Sequence, residues 1–197
     1  LAYLDSQIDG LLGGLALRDK LDDTLVIITA DHGEHFGEHG LYGHASSLYD
    51  QELHVPLILL LPRSAHGGRA VTNTVSLRDL PATVVDVLGL EDGAPFPGRS
   101  LARCWSNDDP DSATDDSVVA SVDRPVQTAP NQGRSPVFRG PMKAVARGNR
   151  VYIRNGDGRE ELYDVEADPD QTRDLAGLGE SKSELDDFRA ELIRLLR

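Results

Sequence analysis

Residues 24–34 read Thr-Leu-Val-Ile-Ile-Thr-Ala-Asp-His-Gly-Glu, and this stretch indicates the fold class of the chain. Its first seven residues form a nearly continuous β-branched and aliphatic run, which is typical of a strand covered on both faces of an α/β sheet. The run stops at Asp31 and His32. Ligands of open α/β sheets bind beyond the carboxyl ends of strands, and an adjacent carboxylate and imidazole can both bind one divalent cation. We therefore predict that Asp31 and His32 are metal ligands.

The segments on either side of this strand alternate between helix and strand patterns. After it, residues 55–61 read as a second buried strand and residues 79–88 as a helix. Before it, apolar residues recur at helical spacing from Leu1 to Leu15. The alternation predicts an α/β fold with a mostly parallel, doubly wound sheet. No capping Ser, Thr, Asp or Asn precedes the first helix, so we expect the chain to be the C-terminal part of a longer protein.

The second half of the chain has a different pattern. Residues 108–116 are rich in Asp, Ser, Pro and Thr, which predicts an exposed loop. Short strand-like runs follow, with a hairpin signal at Asn155-Gly156-Asp157-Gly158, and a helix is predicted from about residue 181. These features predict a small antiparallel sheet with one helix. We divide the chain into an α/β domain (1–106), a variable loop region (107–140) and a small α+β subdomain (141–197).

Composition excludes several classes of protein. The chain has 33 acidic and 20 basic residues and a net charge of -13, so it lacks the positive surface that nucleic-acid binding needs. No apolar run approaches the roughly 20 residues of a membrane span. The single Cys104 excludes a disulfide scaffold. Only three of the basic residues are Lys and the acids are mostly Asp, which favours a high-salt organism; an Arg-rich codon bias is the alternative. The compartment, cytoplasmic or exported, stays open.

Histidines are concentrated just after the first strand. Five of the six lie between positions 32 and 54, interleaved with Asp and Glu. An isolated Asp-His pair at a strand end could simply cap a loop. The density of imidazoles and carboxylates favours a ligand or catalytic role instead.

The arrangement of these motifs resembles the sulfatase family of the alkaline phosphatase superfamily. The resemblance begins with Asp31-His32-Gly33-Glu34 and Gly37-Glu38-His39-Gly40, and continues through His44, Leu48-Tyr49-Asp50 and Val55-Pro56-Leu57-Ile58. Further blocks follow in family order: Asp79-Leu80-Pro81-Ala82-Thr83, Gly98-Arg99-Ser100-Leu101, Glu161-Leu162-Tyr163-Asp164, Asp168-Pro169 and Asp174-Leu175.

The resemblance implies an alkaline-phosphatase-like, mostly parallel sheet sandwiched by helices, of which this chain holds the C-terminal part. It implies one divalent cation, with calcium expected and magnesium or manganese as alternatives. Asp31 and His32 match the second pair of metal ligands. The first, acidic pair is expected outside this chain, so the isolated chain is expected to bind metal weakly at best. His44 lies where many members carry a Lys that contacts the substrate anion, so a catalytic role is implied for it. A formylglycine, Ser or Thr nucleophile is expected outside this chain, because Cys104 lacks the Pro and Arg that follow a modified Cys.

Three functions are compatible with the sequence. The first is a sulfatase that hydrolyses a small-molecule or glycan sulfate ester. The second is a phosphodiester or phosphonate monoester hydrolase, or a phosphoglycerol transferase, of the same superfamily. The third is a non-catalytic metal-binding relative. The isolated chain is expected to have no sulfatase activity, and its oligomeric state is unknown. We expect His35, His54 and His66 to be ordinary packing or surface residues.

Overall fold

The computed structural model describes residues 1–64, 68–90, 96–105, 117–124 and 134–197, and both helices and strands occur in this part of the chain. Parts of the predicted 107–140 loop region, and His66, lie outside the described residues. The helices are α1 (Ala2–Ala16), α2 (Asp50–Leu53), α3 (Leu80–Val87) and α4 (Lys182–Leu195). The strands are β1 (Val26–Thr29), β2 (His35–Phe36), β3 (Tyr42–Gly43), β4 (Leu57–Leu60), β5 (Val118–Val122), β6 (Met142–Arg147), β7 (Arg150–Arg154) and β8 (Glu160–Asp164).

The chain forms two compact units that interleave along the sequence. The first unit comprises Leu1–Ala30, Pro56–Val71 and Asp79–Pro110, and the second comprises Asp31–Val55, Thr72–Arg78 and Asp111–Arg197. The domain boundaries at residues 106 and 140 stay predictions. Among the described residues, no helix combines the length and the apolar character that a membrane crossing requires.

In the first unit, β1 and β4 form a two-stranded antiparallel sheet in which Val26 pairs with Leu60 and Thr29 with Leu57. The expected parallel pairing is therefore wrong for these two strands. A parallel pair needs a crossover connection, usually a helix. The segment between β1 and β4 contains only two-residue strands, a single 3-10 turn and the four-residue α2. The strands are also half-buried to exposed rather than buried, and Ile58 is 50% exposed.

The first unit also joins α3 to the 3-10 helix at Leu101–Cys104 through buried polar contacts. The Asp79 carboxylate accepts the Arg99 amide at 3.0 Å and an Arg103 guanidinium N–H at 2.9 Å. Thr83 Oγ1 donates to the Asp79 carbonyl at 2.7 Å and accepts the Leu101 amide at 2.9 Å. These bonds join the sequence motifs at 79–83 and 98–101 in the structure. Cys104 is buried, as expected for a packing thiol.

The second unit contains the predicted antiparallel sheet, in the order β5-β6-β7-β8. Alternate residues of its strands face opposite sides. One face packs against α4, and this cluster comprises Val145, Tyr152, Leu162, Leu185, Phe188 and Leu192. The other face packs against the segment that follows the Asp31-His32 motif, and this cluster comprises Leu41, Leu48, Tyr49, Val137, Met142, Ala144, Val151, Ile153 and Tyr163. The sheet thus supports the segment that carries the candidate ligands.

Candidate functional site

Three side chains of the second unit form a candidate metal site. One nitrogen or oxygen atom each from His32, Glu34 and His44 lie within 4.8 Å of one another. The two imidazole rings face each other, with centroids 4.2 Å apart and planes at 32°. The side chains are 42%, 38% and 45% exposed in that order, so they are open to a ligand from solvent. We call this group the His32–Glu34–His44 cluster.

A short hairpin brings Glu34 and His44 together. β2 pairs with β3 in antiparallel register, His35 opposite Gly43 and Phe36 opposite Tyr42. The next pair of this register places Glu34 opposite His44. His44 Nδ1 donates to Glu34 Oε2 at 3.1 Å, which fixes the orientation of the ring and leaves Nε2 available for another partner.

Gly33 allows the close approach that holds the other side of the cluster. Its amide donates to the Glu52 carbonyl at 2.8 Å. A Cβ at this position would lie 2.0 Å from the Gln51 carbonyl oxygen, a distance that no side chain could tolerate. Glycine is therefore required between His32 and Glu34, for steric reasons rather than for an unusual backbone angle.

The surroundings of His32 favour a positive charge on or next to its ring. Its Nδ1 donates to the Gly33 carbonyl at 2.8 Å, which leaves Nε2 as the nitrogen that can bind a cation. This hydrogen bond is the main cause that raises the pKa of His32 above 6.5; burial opposes it, and the carboxylates of Asp31, Glu34 and Glu52 add to the increase. A divalent cation could replace the proton that this environment stabilises.

Asp31 lies beside the cluster rather than in it. Its Oδ1 accepts the His32 amide at 3.1 Å, and its Oδ2 is 3.8 Å from His32 Nε2. The side chain is 90% exposed, so packing does not fix its orientation. Of the residues that we predicted from sequence, the structure thus brings His32 and His44 together. It adds Glu34, which we did not predict as a ligand; the pairing of β2 with β3 was the missing signal.

Buried polar contacts around Glu52 stabilise the segments that carry the His32–Glu34–His44 cluster. Glu52 is 6% exposed, and its Oε1 accepts the Ser46 and Ser47 hydroxyls, both at 3.0 Å. His35 Nε2 lies 3.0 Å from the same oxygen. Burial acts to raise the pKa of Glu52, but the contacts with His35, Ser46 and Ser47 outweigh it and lower the pKa below 4.5. His35 is therefore a buried packing residue, as we expected, whereas the His54 side chain is 81% exposed.

The donor set can be tested against the metal that the family resemblance implies. Imidazole nitrogen and carboxylate oxygen together suit divalent manganese, iron or zinc, whereas calcium prefers a shell of oxygens. The orientation of His32, with Nδ1 donating to a carbonyl, is the arrangement usually seen for a metal-bound histidine. The residues present therefore fit a divalent cation that accepts both nitrogen and oxygen ligands.

Comparison with known protein sequences shows that this chain is similar to sulfatases. The Sulfatase family model matches residues 1–90. Arylsulfatase K from Xenopus laevis is 28% identical over 179 residues, which cover 87% of this chain and 32% of that protein. The chain spans about a third of the length of the curated relatives that it matches.

Comparison with solved structures shows the same fold. A protein solved in complex with its substrate D-glucosamine-2-N,6-O-disulfate matches with a TM-score of 0.79 and 22% identity, over 97% of this chain and 37% of that one. The phosphonate monoester hydrolase of Agrobacterium radiobacter matches with a TM-score of 0.78 and 23% identity, over 98% and 39%. The alkaline-phosphatase-like α/β fold and the small antiparallel sheet with its C-terminal helix are thereby confirmed. At the level of sequence, the chain is therefore similar to the sulfatase family over residues 1–90 and to curated sulfatases over most of its length.

Proposed function

We propose that this chain contributes half of the metal-dependent active site of a hydrolase that cleaves sulfuric ester bonds. The observation that carries the proposal is the His32–Glu34–His44 cluster, which begins three residues after strand β1 in a chain that matches the Sulfatase model at residues 1–90. The cluster joins candidate metal ligands to a histidine that can face an anion.

In this proposal Asp31 and His32 hold one divalent cation, and Glu34 is a third donor within reach. Calcium, magnesium and manganese are the candidate ions, and the imidazole donor favours manganese over calcium. When bound, the ion stabilises negative charge on the non-bridging oxygens of the ester and lowers the pKa of the attacking group.

His44 has the second role in the proposed reaction. Its Nδ1 is committed to Glu34, so Nε2 can contact an oxygen of the substrate anion or of the leaving group. A protonated ring supplies the positive charge that a Lys supplies at this position in many sulfatases; a neutral ring supplies a hydrogen bond alone. Glu34, besides being a donor within reach of the cation, also orients the His44 ring.

We propose that the nucleophile, a formylglycine, Ser or Thr, lies outside these 197 residues. Cys104 is buried and is followed by Trp105-Ser106-Asn107, without the Pro and Arg of a modified Cys. The isolated chain therefore hydrolyses no sulfate ester. The proposed substrate is a sulfated small molecule or glycan, by analogy with the disulfated glucosamine bound by one structural neighbour.

A phosphonate monoester or phosphodiester hydrolase is the second candidate. The phosphonate monoester hydrolase of Agrobacterium radiobacter matches this chain as well as the disulfate-binding protein does, with TM-scores of 0.78 and 0.79. The same ligand set can stabilise charge on phosphorus or on sulfur oxygens. Substrate preference therefore has to be measured.

The test compares hydrolysis of 4-methylumbelliferyl sulfate, bis(4-nitrophenyl) phosphate and a phenylphosphonate monoester. It uses both the 197-residue chain and the whole protein that contains it, with Asp31→Ala and His44→Ala as variants and exposed His54→Ala as the control. We expect the whole protein, but not the 197-residue chain, to hydrolyse the sulfate ester. This activity should be lost in Asp31→Ala and His44→Ala and retained in His54→Ala. Sulfate turnover by the isolated chain that Asp31→Ala abolishes would refute the external nucleophile. Faster turnover of the phosphonate ester than of the sulfate ester would favour the second candidate. If none of the three esters is hydrolysed, the result would favour the non-catalytic relative.

A further inference from the structure

We infer that Glu52 is a positioning residue that holds the His32–Glu34–His44 cluster together, an inference that rests on the proposed metal site. Glu52 lies in α2 and is not itself among the cluster residues. Through its backbone and its side chain it contacts both segments that carry the cluster, residues 32–35 and residues 44–47.

The first segment is held through the backbone of Glu52. The Gly33 amide donates to the Glu52 carbonyl at 2.8 Å, and Gly33 lies directly between His32 and Glu34. A shift of this carbonyl would therefore move both ligands. His35, the neighbour of Glu34, also reaches the Glu52 carboxylate, with Nε2 3.0 Å from Oε1.

The second segment is held through the Glu52 carboxylate. Oε1 accepts the amides of Ser46 and Ser47 at 3.3 and 3.1 Å, and both hydroxyls at 3.0 Å. These serines begin two residues after His44. Four donors of this turn therefore converge on one buried oxygen, and their position depends on the reach of the Glu52 side chain.

α2 is in turn anchored to the rest of the second unit. The Asp50 amide donates to Gln171 Oε1 at 2.6 Å, and Gln51 Nε2 donates to the Pro169 carbonyl at 3.2 Å. Glu52 thus transmits the position of a fixed helical turn to the cluster. As a positioning residue it contacts no substrate and acts only through the residues that it holds.

Two substitutions at Glu52 distinguish the effect of its side-chain length (its reach) from the effect of its negative charge. Glu52→Gln keeps the length of the side chain and one oxygen acceptor, but loses the charge. Glu52→Asp keeps the charge but withdraws it by one methylene group, so it cannot reach Ser46 and Ser47 while the helix stays in place. A positioning role by reach predicts that Gln preserves the cluster better than Asp, whereas a role of charge alone predicts the reverse.

Glu161 offers a matched control in the same unit. It is 2% exposed, and its carboxylate accepts the Tyr163 hydroxyl at 2.6 Å, Asn155 Nδ2 at 2.7 Å and the Tyr49 hydroxyl at 3.2 Å. None of these donors belongs to residues 32–35 or 44–47. Glu161→Gln therefore tests whether loss of any buried carboxylate in this unit disturbs the cluster.

The experiment titrates the 197-residue chain with Co²⁺ and follows the visible d–d absorption, with urea unfolding measured in parallel. We expect Glu52→Asp to raise the Kd for Co²⁺ about 10- to 100-fold and to change the spectrum. Glu52→Gln should stay within a few-fold of wild type. Glu161→Gln should lower the unfolding midpoint but leave the Kd and the spectrum unchanged. Wild-type Kd and spectrum in Glu52→Asp would overturn the inference, and so would the same metal-binding loss in Glu161→Gln.

A second readout separates this inference from the proposed function. The imidazole ¹H–¹⁵N NMR signals of His32 and His44, measured without metal, should move in Glu52→Asp and stay in place in Glu161→Gln. If the wild type does not bind Co²⁺, the proposed metal site is contradicted but the positioning role of Glu52 is not. Unmoved His32 and His44 signals in Glu52→Asp would contradict the positioning role.

Discussion

Replacement of Gly33 by Ala is the substitution whose cost the structure specifies most directly. The new Cβ would lie 2.0 Å from the Gln51 carbonyl oxygen and 2.9 Å from its carbon. Both atoms belong to the backbone, so no side-chain rotation can relieve the clash. To reach ordinary van der Waals contact, the two segments must separate by about 1.4 Å. The Gly33–Glu52 hydrogen bond, 2.8 Å long, would then be lost.

The expected cost of Gly33→Ala is about 2–4 kcal/mol of unfolding free energy, from overpacking and from the lost backbone hydrogen bond. With a urea m-value of about 2 kcal/mol/M, the midpoint should fall by about 1–2 M. Unfolding is followed by far-UV circular dichroism. Gly177→Ala is the control, because a Cβ there meets nothing within 4 Å and its midpoint should hardly change. A Gly33→Ala midpoint equal to that of the control would refute the steric reasoning.

Three further predictions concern stability. Hydrogen bonds from Arg189 and Tyr152 lower the pKa of Glu160 from 4.5 to about 2, against the effect of burial. Because the pKa is lower in the folded state, this stabilisation is present above pH 4.5 and is lost as pH falls from 4.5 towards 2. After allowance for solvent screening it amounts to about 1–2 kcal/mol. Glu160→Gln should flatten this part of the stability curve, and a curve parallel to wild type would contradict the argument. Asp79→Ala leaves Arg103 without its buried partner and should cost about 2–3 kcal/mol, measured by the fluorescence of Trp105; a loss below 0.5 kcal/mol would argue against it. If the acidic surface is an adaptation to salt, the melting temperature should rise steadily with KCl up to molar concentrations, whereas full stability in dilute buffer would contradict that idea.

Local patterns were sufficient to predict the elements that depend on short-range rules. The alternation of apolar residues in β6, β7 and β8 follows from a sheet with two packed faces, and the structure contains that sheet. The turn at residues 155–158 follows from its Asn and Gly residues; the Asn155 amide donates to the Arg159 carbonyl there at 2.8 Å. The placement of Asp31 and His32 directly after β1 follows from the end of the apolar run.

Local sequence patterns could not predict which strands pair with each other in the structure. The run at 24–30 is equally compatible with a parallel or an antiparallel neighbour, so the pairing of β1 with β4 could not be read from it. β2 and β3 have two residues each, too few to show any periodicity, yet they place Glu34 beside His44. Glu52 reads as a solvent-facing acid in a polar helical turn. Its burial depends on Ser46, Ser47 and His35 folding over it, which no local signal reports.

Binding of Mn²⁺ to the 197-residue chain, measured by isothermal titration calorimetry, tests the central claim most directly. We expect one weakly bound Mn²⁺ per chain, with binding abolished by His32→Ala and weakened at least tenfold by Asp31→Ala. His54→Ala, which removes an exposed histidine of the same unit, should bind Mn²⁺ as the wild type does. No Mn²⁺ binding by the wild type, or equal binding by His32→Ala and His54→Ala, would contradict the claim that these residues form a metal site.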